Sequence, residues 1–171
     1  DGGSGIEIGR QLSSLRHPLH YAQRLFYLNA SGAHRAPGQV DATYAGRLLS
    51  LCDAMPAGFK ALLFAFDRFH DEAGQANRER TAFYIPNEWA ARLAAAFPAR
   101  FEWAASIHPY RPDAIDVLEA VVRRGARALK WLPAAMGMDP APARCAAFYR
   151  ALPAHRLPSI VHCGEEKAVP G

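Results

Sequence analysis

From residue 59 onward, short unbroken apolar runs alternate with segments in which apolar residues return every three or four positions. The runs are KALLFAF (60–66), FEWAASI (101–107), ARALKWL (126–132) and PSIVHC (158–163). Continuous apolar character of this length fits strands covered on both faces in a parallel sheet. Between them lie NEWAARLAAAF (87–97), entered through Pro86, then DAIDVLEAVVRRG (113–125) and APARCAAFYRAL (141–152). The second of these sets Ile115, Leu118, Val121 and Val122 along one side, with Asp113 placed to cap it and Gly125 to end it. Strands alternating with helices in this way imply parallel pairing through right-handed crossovers, so the predicted fold class is α/β.

The first 58 residues have another character. RHPLHYAQRLFYLNASG (16–32) and QVDATYAGRLLSLCDAMPAG (39–58) each repeat apolar residues at helical spacing, and SGAHRAPG joins them as a loop. The division expected is a helical segment over 1–58 and a set of strand–helix units over 59–171.

Two α/β architectures compete. An open nucleotide-binding sheet requires a glycine-rich turn after its first strand, and none of the four strands has one. Each strand ends instead in reactive side chains: Asp67, His70 and Asp71; His108 and Tyr110; Lys130; and His162, Glu165 and Glu166. In a (β/α)₈ barrel the C-terminal strand ends converge on one site, so scattered polar groups there become neighbours. The pattern favours about half of such a barrel.

Composition narrows the function classes. Half of the 171 residues are hydrophobic and no apolar run approaches the length that spans a bilayer, so no membrane partner is expected. The formal charge of +4 comes from arginines spread singly, without an aromatic-interleaved basic stripe, which argues against nucleic acid. Cys52, Cys145 and Cys163 form no CxxC pair, as expected of a reducing cytoplasm and not of a cysteine zinc knuckle. No signal segment opens the chain, and DGGSG without an initiator methionine reads as a processed or internal start. The expected partner is a small-molecule substrate; nothing in the sequence sets the oligomeric state.

His162 is the leading candidate for chemistry, because a neutral imidazole held at a rigid strand end makes a good metal ligand. A histidine hydrogen-bonded at the rim is the plainer alternative. Lys130 lies inside an apolar strand of a chain with seventeen arginines and only three lysines. An amine there can pair with a carboxylate, form a Schiff base or take up carbon dioxide as a metal-bridging carbamate; equally, its head can escape to solvent. His70, in an acidic loop, and His108, before Pro109, are weaker candidates for substrate contact. Glu165 and Glu166 read as partners of a ligating histidine and substrate or as first-turn acids of a following helix. His17 and His20 read as surface residues, Tyr149 and Trp103 as core, and Cys163 as a small buried residue. No serine nucleophile elbow is present, and no residue is assigned as the catalytic base.

The stretches IHPYRPDAIDVLEAVVRRGARALKWLPAAMGMDP and LPSIVHCGEE resemble the amidohydrolase superfamily, in particular its amidohydrolase-related branch of metal-dependent hydrolases. The likeness runs from about Leu62 to Glu166. It implies a TIM (β/α)₈ barrel with one or two divalent metals, usually zinc, of which this chain holds strands two to five behind an N-terminal helical insertion. It makes His162 the strand-five metal ligand and Lys130 the strand-four residue, a carbamate in binuclear members. It implies hydrolysis of an amide, ester or lactone by metal-activated water. Non-oxidative decarboxylation on the same barrel is the first alternative, and an inactive barrel fragment the second. The chain departs from the pattern in having no HxH pair, and the later histidine and aspartate are expected beyond Gly171.

Overall fold

The computed structural model describes residues 5–9, 39–141 and 143–164, with Tyr21, Ala22, Leu25, Phe26, Asn29 and Gly32 from the segment between. The first predicted helix is therefore seen only at scattered helical positions, and His17, His20, Glu165 and Glu166 lie outside the described residues. The second is helix α1, Val40–Asp53.

Four strands form one parallel sheet: β2 (Ala61–Phe64), β4 (Phe101–Ala105), β5 (Ala128–Trp131) and β6 (Ser159–Val161), in that spatial order. Helices α2 (Asn87–Ala96), α3 (Ala114–Arg123) and α5 (Ala146–Ala154) make the crossovers, with a short α4 (Pro133–Met136) directly after β5. The alternation read from the sequence is thus present as a mixed α/β fold. Two elements went unpredicted: β1 (Glu7–Ile8) and β3 (Phe83–Tyr84) pair antiparallel beyond the C-terminal end of β2. Two-residue strands carry no readable period.

Among the described residues, helices α1 to α5 cover one face of the sheet. Leu63, Ala65, Phe101, Trp103, Ala105, Ile107, Leu129 and Trp131 alternate onto the face that joins Trp89, Leu118, Val121, Phe148 and Leu152 from the helices in one core. The opposite alternation presents Leu62, Phe64 and Ile160, all exposed, with Glu102 and Lys130 half-buried and Ala104, Ser106 and Ala128 buried among them. Strands covered on both faces were expected, and β6 was expected to be buried. Helices α1 to α5 all contribute to the same core, and β6 is an edge strand among the described residues whose three residues are all exposed.

Three smaller expectations also change. Asp113 precedes α3 but makes no side-chain cap; its carboxylate is drawn to Arg111 at 2.9 Å, a charge-assisted bond stronger than a cap. Gly125 does end the helix, at φ +82°. Tyr149 and Cys163 are exposed, while Trp103 is core as expected.

Candidate functional site

The C-terminal ends of β2, β4 and β5 are tied together by a buried polar network. After β2 the chain turns at Asp67, whose side chain is almost wholly enclosed. One carboxylate oxygen accepts the Arg68 amide at 2.8 Å, the other the His108 amide at 2.8 Å, and Arg111 closes the pair at 3.2 Å. Arg111 bridges on to Asp113, and this guanidinium holds the Asp113 carboxyl below its usual range. Arg68 in turn grips Glu7 through both guanidinium nitrogens, 2.7 and 2.6 Å, and fastens β1 to the same end of the sheet. The 67–80 loop, polar in sequence, is consequently well packed, with Asp67, Phe69 and His70 all buried.

His108 is fully enclosed, and its partners fix its tautomer. The Met136 carbonyl, 3.0 Å from Nε2, can only accept, and the Tyr110 amide, 3.2 Å from Nδ1, can only donate. Nε2 therefore carries the single proton. Burial first, and the His70 ring second, push this imidazole down to about 4. Both ring nitrogens are spent on backbone, so the expected substrate contact gives way to a structural role as the hinge-pin between β4 and α4. His70 lies 4.7 Å away, ring to ring, with Nδ1 donating to the Arg68 carbonyl at 2.9 Å and its own amide reaching Met136. It is a buried part of the same knot rather than a residue of a solvated loop.

Lys130 and His162 stand apart from that network, on the bare face. Lys130 pairs in register with Ile160, so His162, two residues on, belongs to the same face at the end of the adjacent strand. The His162 amide continues the ladder to the Trp131 carbonyl at 3.1 Å. The Lys130 amine lies 5.7 Å from the centre of the Phe64 ring, which places it over that face and not at the sheet's end. Asn87 at the start of α2 clamps the backbone of Ser106: its carbonyl oxygen accepts the Ser106 amide and its amide donates to the Ser106 carbonyl, both at 2.9 Å. The Ser106 hydroxyl is itself buried and has no partner.

The sequence marked Asp67, His70, His108, Lys130 and His162 because they end strands. It did not mark Arg111, Asn87 or Ser106. Arg111 and Asn87 act across 44 and 19 residues of chain respectively, and no local spacing announces such pairs. Among the described residues no three of His, Cys, Asp and Glu approach closely enough to hold a metal ion. No helix among them is long and apolar enough to cross a membrane. No protein-family model, no curated protein and no solved structure matches this chain.

Proposed function

We propose that the chain supplies strands two to five of a metal-dependent hydrolase barrel of the amidohydrolase type, with the bare sheet face as part of its inner wall. One observation carries the reading: Lys130 and His162 alternate onto the same face of adjacent parallel strands, with the Lys130 amine leaning across β4 toward Phe64 rather than toward His162. A barrel interior is lined by one alternation of every strand while helices cover the other, and its reactive groups gather where the strands end. The one-sided cover of this sheet agrees with that arrangement.

A zinc site takes three or four protein donors, and His162 with Lys130, the latter only as its carbamate, would make two. The described residues therefore do not complete such a site, and the remaining ligands are assigned to strands outside them. A bound metal would supply a hydroxide near neutral pH. The contribution of this chain is rigid placement: β5 and β6 set the spacing of amine and imidazole, and the Asp67–His108–Met136 knot holds the loops above them.

Metal analysis and turnover of the protein expressed from its whole gene test the proposal. His162→Ala is expected to lose bound zinc and to slow ester, lactone or amide hydrolysis at least about 100-fold, in line with removal of a ligand or its support. Unchanged zinc and turnover in that variant would defeat it. Carbon dioxide release from an aromatic acid, without hydrolysis, would reassign the same face to decarboxylation.

A further inference from the structure

A cleft of about 280 Å³ opens between the first turns of α3 and α5. Small residues make the room: Ala114 on one helix and Ala147 on the other stand where longer side chains would fill it. Its apolar wall is Pro112, Ile115 and Phe148. Ile115 belongs to the stripe predicted for α3, yet it is 37% exposed and borders the cleft instead of joining the core. Ala114 and Phe148 are part of the helix-side core, so the cleft lies on that side of the sheet and not on the face of Lys130.

Two guanidiniums border the cleft, and they differ. Arg111 is fully engaged: Nε and Nη2 hold Asp113 at 2.9 Å, and Nη1 holds Asp67 at 3.2 Å. Two carboxylates cancel its charge, and it serves as wall. Arg144 lies on the Tyr110 ring, 3.0 Å from its centre. It gives Nη1 alone to Glu72, to the carboxylate at 2.7 Å and the carbonyl at 3.0 Å. Its Nε and Nη2 have no partner among the described residues. The ring beneath it is fixed, because the Tyr110 hydroxyl donates to the Asp139 carbonyl and accepts the Asp139 amide, both at 3.1 Å. A planar guanidinium held flat on a fixed ring, with one edge open, is preorganised for two parallel bonds to a carboxylate.

Glu72 already neutralises Arg144, so an acid from solution shares the guanidinium with it or takes its place. The Glu72 side chain is 86% exposed, and so exposed an ion pair is weak enough to exchange. The apolar wall then supplies the preference for an organic acid. Ligand cavities commonly run from about 300 to 1,000 Å³, which limits the occupant here to a single ring or a short branched chain. We propose that this cleft binds a small organic carboxylate, its charged end on the open edge of Arg144 and its apolar body against Pro112, Ile115 and Phe148. The inference goes beyond the function proposed above and requires neither metal nor hydrolysis.

The probe is benzoate, titrated into the full chain at low salt and followed by NMR of the Ile115 methyl group. Wild type is expected to bind it. Arg144→Gln is expected to weaken binding at least about ten-fold, through loss of the charge-assisted bonds. Arg144→Lys, which keeps the charge and loses the fork, is expected to fall between the two. Ala147→Leu fills the cleft from an exposed position and is expected to weaken binding about ten-fold. Glu72→Gln removes the competing carboxylate and is expected to tighten it about two- to five-fold. Benzamide, of the same shape without the charge, and inorganic phosphate, without the ring, are each expected to bind at least about ten-fold more weakly than benzoate. No benzoate shift at Ile115 in wild type overturns the proposal, as does equal affinity in wild type and Arg144→Gln. Phosphate or benzamide binding as tightly as benzoate overturns it too. Where Arg144→Gln melts lower than wild type, Ala147→Leu and Glu72→Gln decide, since both leave the arginine on its ring; affinity unchanged in both overturns the proposal. Zinc content and hydrolysis are read on the same samples. If they persist without benzoate binding, the cleft falls and the hydrolase reading stands. Arg144-dependent binding in a protein lacking both leaves the cleft standing and removes the hydrolase.

Discussion

Asp67 shows how one buried carboxylate can organise three loops. It takes two backbone amides and a guanidinium, so Asp67→Ala strands the His108 amide and leaves Arg111 with Asp113 alone. A loss of about 2–4 kcal/mol in urea unfolding is expected, the range for breaking a buried charged network; a change under about 1 kcal/mol would show that solvent replaces the carboxylate. His108 adds a pH dependence of definite sign. Its folded value, about 4, lies below the ordinary 6.5, so the unfolded chain binds the proton first. The associated stability is complete above about pH 6.5 and is lost as pH falls toward 4, by up to roughly 3 kcal/mol. An NMR titration should find the His108 ring neutral down to about pH 4, and a midpoint near 6.5 would contradict its enclosure. Of these residues the sequence showed that Asp67 and His108 end strands, but not that each bonds the backbone of another loop, Asp67 the His108 amide and His108 the Met136 carbonyl.

At the scale of elements, the helices were readable because their apolar spacing survives in the packed structure. Of the stripe predicted on 113–125, α3 buries Leu118 and Val121 and half-buries Val122, but it leaves Ile115 exposed and buries Ala114 instead. Leu118→Ala should cost about 3 kcal/mol through lost contacts and the cavity left behind. The turn after α4 was less legible. Gly137 sits at φ +69°, and a methyl group there would fall within the Phe69 ring. Gly137→Ala therefore combines left-handed strain of about 1–2 kcal/mol with displacement of a buried ring, and thermal unfolding should record a lower Tm. The glycine was visible in the sequence, whereas the ring that closes on it comes from a distant loop, the one that follows β2. β1 and β3 were missed for a similar reason: each is held by its partner and by the Glu7–Arg68 pair, not by a pattern of its own.

For the whole molecule, the bare face is the dominant feature. Leu62, Phe64 and Ile160 are exposed, and β2 and β6 are the edges of the parallel sheet among the described residues. An apolar face between open edges invites association. The 171-residue chain alone is expected to self-associate in sedimentation at micromolar concentration, and Phe64→Lys, which keeps the core face intact, to shift it toward monomer. A monodisperse, cooperatively unfolding wild-type monomer would show that the face is satisfied within the chain.

The sequence by itself determined the order and kind of the main elements, because a strand's continuous apolar run and a helix's three-to-four spacing are local properties. It also singled out Lys130, as an amine where this arginine-rich chain would otherwise place a guanidinium, and His162, as the histidine that ends a strand. Which face each strand presents was beyond it: a run such as KALLFAF reads the same whether covered on one side or two, since apolar residues recur at every position. Only the tertiary structure decided that helices α1 to α5 gather on one side, that both ring nitrogens of His108 are spent on backbone, and that the Ser106 hydroxyl is enclosed without a partner. Those outcomes depend on contacts between residues far apart in the chain, for which no local spacing exists.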